Sequence, residues 1–305
     1  MHALVAISEP PFAELREVPD PEPLPHQALV EVKAFSLNRG ECKRLQSKPP
    51  GDLTGWDLAG VVVAPAGNGS GPATGARVVG LVQAGAWAQR VAVDTELLAE
   101  LPDAVSFEQA AALPVAGLTA LRSLEVAGFV LGKELLVTGA SGGVGRFAVQ
   151  LAALAGARVT AMARRTGGLT ELGAAELISE LGPDGREFDV ILDAIGGPVL
   201  GAALQRVAPR GIIVNFAATV TDPVSYPTRE LFSRAPGARL YGLYVFSELE
   251  HSRSGAADLR RLADLIAAGR LDPQIDTVAP WTKAQSAIEA LLDRRVAGKA
   301  VLTVH

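Results

Sequence analysis

Leu135-Leu-Val-Thr-Gly-Ala-Ser-Gly-Gly-Val-Gly-Arg-Phe-Ala-Val-Gln-Leu-Ala152 runs from an apolar strand through a glycine-rich turn into an apolar-periodic helix. Gly139 is expected to make the tight turn. Gly142 and Gly143 bring the backbone close to an anion, and Gly145 lets the helix pack on the strand. The free N–H groups and positive dipole end of that helix suit a pyrophosphate, with Ser141 to Val144 as its contacts. The spacing is G-x-x-G-x-x-G rather than G-x-G-x-x-G, and glycines alone are a weak signal. Weight comes from the context: a strand before, a helix after, and a second strand over residues 157–163.

The end of that second strand bears on which dinucleotide fits. A site that takes NAD places a carboxylate about 20 residues past the glycines, on the ribose 2′-hydroxyl. Here the corresponding residues are Ala163-Arg164-Arg165-Thr166, with two guanidiniums and no carboxylate. Arginine pairs bidentately with a phosphate that a carboxylate would repel. NADPH is therefore the expected cofactor; the alternative is that Arg164 and Arg165 are a solvated pair.

The 305 residues suffice for one large or two ordinary domains, and the apolar content supports a substantial core. A net charge of −5 argues against a nucleic-acid partner. The lone Cys42 excludes an internal disulfide and a multi-cysteine zinc site, and fits a reducing compartment. The first residues lack the basic start of a signal peptide, and the uncharged stretch 58–76 is broken by Gly and Pro. A cytoplasmic protein without a membrane partner is expected.

Residues 1 to about 110 read as β-rich: residues 29–35 alternate, and 58–64, 77–82 and 88–93 are short strands between turns. Pro10, Pro11, Pro19, Pro21, Pro23 and Pro25 mark an irregular first segment. Such spacing suggests a small barrel. Ser106-Phe-Glu-Gln109 is a capping-box start for a helix, interrupted at Pro114 and resumed over 118–126. Strands over 134–138, 158–163, 189–192 and 211–216 then alternate with helices over 144–155, 170–172 and 199–207, the pattern of a doubly wound parallel sheet. Residues 238–246 read as one more strand with both faces covered. Helices over 258–268 and 282–294 and a strand over 299–304 close the chain.

Taken together, Ser36-Leu-Asn-Arg-Gly-Glu41, Gly55-Trp-Asp-Leu-Ala-Gly-Val-Val62, Gly85-Ala-Trp-Ala-Gln89, Ala111-Ala-Leu-Pro-Val-Ala-Gly-Leu-Thr-Ala120, the Gly139–Gly145 loop, Asp193-Ala-Ile-Gly-Gly197 and Gly298-Lys-Ala-Val-Leu302 resemble the medium-chain dehydrogenase/reductase superfamily, in its zinc-free quinone oxidoreductase branch. The resemblance covers nearly the whole chain. It implies an α/β protein with a GroES-like β-barrel catalytic domain (1–117 and 255–305) and a doubly wound Rossmann dinucleotide-binding domain (118–254). It also implies a homodimer joined through the strand edge from Ala238 to Phe246. Zinc-dependent members hold their catalytic metal with Cys, His and Cys; Asn38, Trp56 and Val115 stand at what look like those positions, and the four-cysteine structural lobe is missing. None is a zinc donor, so no metal is expected.

Without a metal, substrate is polarised by hydrogen bonds and positioned over the nicotinamide, which suits a quinone or enone. Asn38 is the first catalytic candidate, donating to a substrate carbonyl and accepting from a cofactor hydroxyl, unless it only caps a turn. Thr119 lies where relatives place a hydroxyl against the nicotinamide, unless it bonds back to its own helix. Asp57, matching the acidic residue behind the metal of relatives, is read as structural or paired with an arginine. Trp56, Trp87 and Tyr244 are pocket candidates, with a core position as the alternative for the tryptophans. Ala194 and Ile195 sit at a carboxyl edge of the sheet, and Phe216, Ala217 and Ala218 flank the nicotinamide. Lys299 reads as solvated, or as reaching a phosphate or ribose, and Cys42 as a buried small residue. No proton donor stands out, which favours quinones over enones. The expected activity is thus NADPH-dependent reduction of a quinone or similar conjugated carbonyl. The alternatives are a biosynthetic ene-reductase and, from another class, an NADPH-binding protein with a structural or regulatory role.

Overall fold

The computed structural model describes residues 1–10 and 12–305, so Pro11 lies outside the described residues. The chain forms two compact units, Met1–Leu118 with Leu249–His305, and Thr119–Glu248. The boundaries fall inside the helices Pro114–Ala127 and Val245–Ser252.

The first unit is built on a seven-stranded sheet. Its order is Ile275–Pro280, Lys299–Thr303, Gln27–Leu37, Asp57–Ala64, Arg77–Leu81 and Leu98–Glu100, with Arg90–Asp94 paired onto Gln27–Leu37 as a branch. Every pairing is antiparallel except Ile275–Pro280 with Lys299–Thr303. His2–Ala6 pairs antiparallel with Ala13–Glu17 and bridges to Ala88 and Leu53, while residues 18–24, with Pro19, Pro21 and Pro23, have no regular structure. The core centres on Phe35, stacked 5.8 Å from Trp87 and edge-on 6.4 Å from Trp281. Gly55 makes that stack possible: its φ is +96°, and a Cβ there would stand 2.2 Å from Trp87 Cδ1. Ser106 and Gln109 form the expected capping box on the helix Phe107–Ala111, and Pro114 begins the next helix rather than interrupting one.

The second unit holds a six-stranded, all-parallel sheet. Its order is Ala174–Ile178, Arg158–Met162, Glu134–Thr138, Phe188–Asp193, Val207–Asn215 and Arg239–Gly242. Counted from its first strand this is 3-2-1-4-5-6, the order of dinucleotide-binding doubly wound sheets. Chain order reverses between Glu134–Thr138 and Phe188–Asp193, and ligands bind beyond the carboxyl ends of strands at such a point.

Two expected elements differ. Residues 170–172 form a turn, not a helix: Ala174 N–H donates back to Leu169 O, and Gly173 takes φ +103° to launch the strand Ala174–Ile178. The expected strand over 238–246 is only Arg239–Gly242, after which the chain becomes the helix Val245–Ser252. Its four residues are all exposed, not covered on both faces, and among the described residues no strand pairs with its outer edge. No helix of the described residues is long and apolar enough to cross a membrane.

Candidate active site

In the first unit, the strand Gln27–Leu37 ends at Asn38, which starts the short helix Arg39–Arg44. Two charges lie buried in the neighbouring strands: Asp57, wholly inaccessible, and Lys299, 2% exposed. Lys299 is therefore not the solvated lysine expected from the sequence. Its ammonium donates to Asn38 Oδ1 at 2.6 Å, Asp57 Oδ2 at 3.2 Å and Leu37 O at 3.3 Å. Asp57 Oδ2 also accepts from Ser36 Oγ at 2.5 Å and Asn38 Nδ2 at 2.7 Å. Its Oδ1 accepts the Val115 N–H at 2.9 Å, in the first turn of Pro114–Ala127, where a carboxylate offsets the helix dipole. The charged partner of Asp57 is a lysine rather than the expected arginine.

This network changes the role available to Asn38. Its two amide hydrogens are spent on Asp57 Oδ2 and, at 3.1 Å, Glu41 Oε1, which also accepts the Asn38 backbone N–H at 2.6 Å. Flipping the amide would turn its oxygen toward both carboxylates and its nitrogen toward the ammonium, so the partners fix its orientation. The donor expected for a substrate carbonyl is occupied, and the capacity that remains is a lone pair on Oδ1. Glu41 is buried beside Asp57; burial first, and then the Asp57 charge, push its carboxyl well above the usual carboxylate range. The Cys42 thiol is wholly buried, and desolvation pushes it well above its ordinary value, so it is inert packing.

The tryptophans separate. Trp87 has no accessible surface, so it lines no water-accessible space and is core rather than pocket wall. Trp56 is half-buried, with the Arg44 guanidinium 5.3 Å from its ring centroid and Gly40 beside it.

In the second unit, the glycine turn has the anticipated geometry. Gly139 adopts φ +64°. A Cβ on Gly145 would stand 2.5 Å from Gly139 O and 2.6 Å from Ala140 Cα, so only glycine lets the helix Gly143–Leu154 sit this close to the turn. Among the described residues, the N–H groups of Gly143, Val144 and Gly145 donate to no protein acceptor. Three orphan donors at a helix start fit the pyrophosphate of a dinucleotide.

Across the switch point, buried Asp193 organises the second loop. Its carboxylate accepts from Thr138 Oγ1 at 2.6 Å, Ile195 N at 3.2 Å, Gly196 N at 3.0 Å and Asn215 Nδ2 at 2.8 Å, while Ala194 N donates to Thr138 Oγ1. The Ala194 and Ile195 N–H groups are thus engaged, and these residues shape the crevice rather than donate into it. Phe216, Ala217 and Ala218 follow Asn215, which ties them back through Asn215 Nδ2 to Ala217 O and Phe216 N to Asp193 O. Arg164, Arg165 and Thr166 are exposed on the turn beyond Arg158–Met162. Thr119 is 5% exposed; among the described residues its hydroxyl has no hydrogen-bond partner, and it is Ser123 that bonds back, to Thr119 O. Tyr244 is exposed and tilted against Phe246. The sequence reading missed the parts played by Ser36, Glu41 and Arg146; a polar side chain inside an otherwise apolar segment was the signal for the first and last.

The chain matches two family models, "alcohol dehydrogenase GroES-like domain" over residues 24–103 and "zinc-binding dehydrogenase" over residues 145–302. It is 31% identical to 2-methylene-furan-3-one reductase of Solanum lycopersicum, over 90% of this chain and 71% of that protein. It is 29% identical to a chloroplast envelope quinone oxidoreductase homolog of Arabidopsis thaliana, over 94% and 92%. The quinone oxidoreductase structure from Coxiella burnetii superposes with a TM-score of 0.84 at 26% identity, over 100% of this chain and 99% of that one. The chain belongs to the medium-chain dehydrogenase/reductase superfamily. It is an oxidoreductase of that superfamily, which works with a nicotinamide dinucleotide on small molecules. The zinc in one model's description does not fit this chain: Asn38 is bound into the Asp57 network, the Val115 N–H serves Asp57, and Trp56 offers no donor to zinc.

Proposed function

We propose that the protein is an NADPH-dependent oxidoreductase that transfers hydride to a quinone or similar electron-poor conjugated carbonyl, without a metal. The observation that carries the cofactor choice is the exposed Arg164–Arg165 pair at the end of Arg158–Met162, where an NAD site needs a carboxylate. The orphan donors of Gly143, Val144 and Gly145 hold the pyrophosphate, with Ser141 and Gly142 at the turn. NADPH supplies the hydride when bound. The Thr119 hydroxyl, with no hydrogen-bond partner among the described residues, is available to donate to an acceptor carbonyl. Asn38 Oδ1 keeps a lone pair that can accept from a hydroxyl.

A carbonyl polarised only by hydrogen bonds favours substrates that are already electron-poor. Quinone reduction leaves exchangeable oxygens that water protonates, so no carbon acid is required. The Solanum relative supports the ene-reductase alternative, because its named substrate carries a methylene conjugated to a ketone. Because Arg239–Gly242 is the open edge of the second unit's sheet, with Leu240 and the nearby Phe232 exposed, a homodimer through this edge is part of the proposal.

NADPH oxidation, followed optically against 1,4-benzoquinone, 9,10-phenanthrenequinone, 2-cyclohexenone and crotonyl thioesters with NADH in parallel, tests it. Quinone turnover with NADPH preference is the expected result. Turnover on enones alone moves the protein to the ene-reductases, and tight NADPH binding without turnover on any acceptor favours the non-catalytic alternative.

A further inference from the structure

The helix Arg39–Arg44 starts at Asn38 and ends in Arg44, an exposed arginine whose guanidinium carbon stands 5.3 Å from the centroid of the Trp56 ring. The same indole lies against the start of the helix: a Cβ on Gly40, two residues after Asn38, would stand 3.3 Å from Trp56 Cη2. Trp56 in turn precedes Asp57, the carboxylate that holds Asn38 Nδ2. One side chain thus ties Arg44 to the Asn38 end of the helix. A ring under a guanidinium engages its face and leaves the in-plane N–H donors open. Among the described residues those donors make no hydrogen bond and no ion pair. Arg90, Arg186 and Arg234, by contrast, are paired with Asp20, Glu134 and Glu187. The sequence around Arg44 does not offset its charge. Residues 39–48 hold Arg39, Lys43, Arg44 and Lys48 and a single acid, Glu41, which is buried against Asn38. Arg39 and Lys48 donate to neutral carbonyls, those of Leu291 and Leu53, and Asp293 near Arg39 is outweighed by Arg294. In a chain of net charge −5 this is a local positive field beside Asn38.

We propose that Arg44, held on Trp56, is a specificity-determining residue for the acceptor, and that the acceptor is a conjugated carbonyl bearing an oxyanion, a carboxylate or phosphate, which the open guanidinium edge binds. This rests on the hydride-transfer reading above and names the substrate class within it. The ring restrains the guanidinium before any ligand arrives, so less freedom is lost on binding than for a free surface arginine. Charge selectivity separates this role from a merely structural stack: loss of Arg44 penalises an anionic acceptor and spares a neutral one.

The test compares kcat/KM for 1,4-naphthoquinone-2-sulfonate and for uncharged 1,4-naphthoquinone at saturating NADPH. Wild type, Arg44→Met and Arg44→Lys are assayed, with thermal melts to verify folding and NADPH affinity followed by fluorescence titration. The methionine keeps an unbranched stem on the indole and removes the charge. Arg44→Met should lower the sulfonate-to-neutral ratio at least about tenfold, through KM, while the neutral quinone stays within about twofold. Arg44→Lys, keeping charge without the fork, should lower the ratio about threefold. Should Arg44→Met fail to fold, Arg44→Lys decides by the same ratio. An unchanged ratio, or equal losses for both quinones, overturns the assignment of Arg44 and leaves the hydride-transfer reading standing. A loss of NADPH affinity with the ratio unchanged gives Arg44 to a cofactor phosphate and overturns the assignment equally. Turnover of neither quinone by wild type overturns the quinone reading and this inference with it.

Discussion

Replacing Lys299 by Met removes the ammonium and keeps an unbranched apolar stem in the core. The charge it leaves behind is Asp57, 3.2 Å from Lys299 Nζ with no accessible surface. At that distance, and at an effective dielectric of about 20, the attraction lost is about 5 kcal/mol. Breaking one side of a buried pair costs about 3–5 kcal/mol in measured cases. Asp57 keeps its bonds from Ser36, Asn38 and Val115, which stabilise the lone carboxylate and favour the lower end, about 3 kcal/mol. All three tryptophans, Trp56, Trp87 and Trp281, lie in the first unit, so urea unfolding followed by tryptophan fluorescence reports on the unit that contains the pair. The thermal counterpart is a fall of about 6–12 °C, at about 2–4 °C per kcal/mol. Adding Asp57→Asn should recover much of the loss, giving a coupling energy of about 2 kcal/mol or more in a double-mutant cycle. A loss below about 1 kcal/mol for Lys299→Met, the level of an exposed ion pair, would refute the coupling and with it the fixed orientation of Asn38.

Three further outcomes are expected. Arg164→Ala with Arg165→Ala weakens NADPH far more than NADH, measured by fluorescence titration; an unchanged preference returns the pair to solvent. Thr119→Val, which keeps the shape and loses the hydroxyl, lowers turnover at least about tenfold with cofactor affinity intact, whereas an unchanged rate removes Thr119 from the site. Glu41→Gln alters the pH dependence of stability. The folded Glu41 carboxyl lies above its unfolded value of about 4.3, so its contribution is full below that pH and is lost as pH rises through the folded value. Urea unfolding should show wild type and variant converging at acid pH and the variant gaining toward alkaline pH; parallel curves would contradict the sign.

The sequence by itself determined the class of fold and the cofactor turn. Glycine-bounded apolar strands alternating with periodic helices leave little choice but a doubly wound sheet. The glycines at 139 and 145 have local reasons, a left-handed φ and a close approach, that a short segment already contains. What failed locally were residues 170–172 and 238–246, where short apolar runs fit helix, strand or turn and the tertiary pairing chose. The site was legible as residue types and not as roles. Asp57 stands in an apolar strand, and so does Lys299, 242 positions away; each alone reads as ambiguous, and only the antiparallel placement of both beside Gln27–Leu37 makes them partners. That pairing decides which atoms of Asn38 remain available. Likewise Arg146 is one more helical arginine until the fold brings the Gly167 carbonyl within 3.0 Å. Periodicity and turn chemistry act over a few residues, so sequence carries them. Hydrogen-bond capacity is shared among groups from several strands, so only the assembled tertiary structure shows which donors and acceptors are already spent.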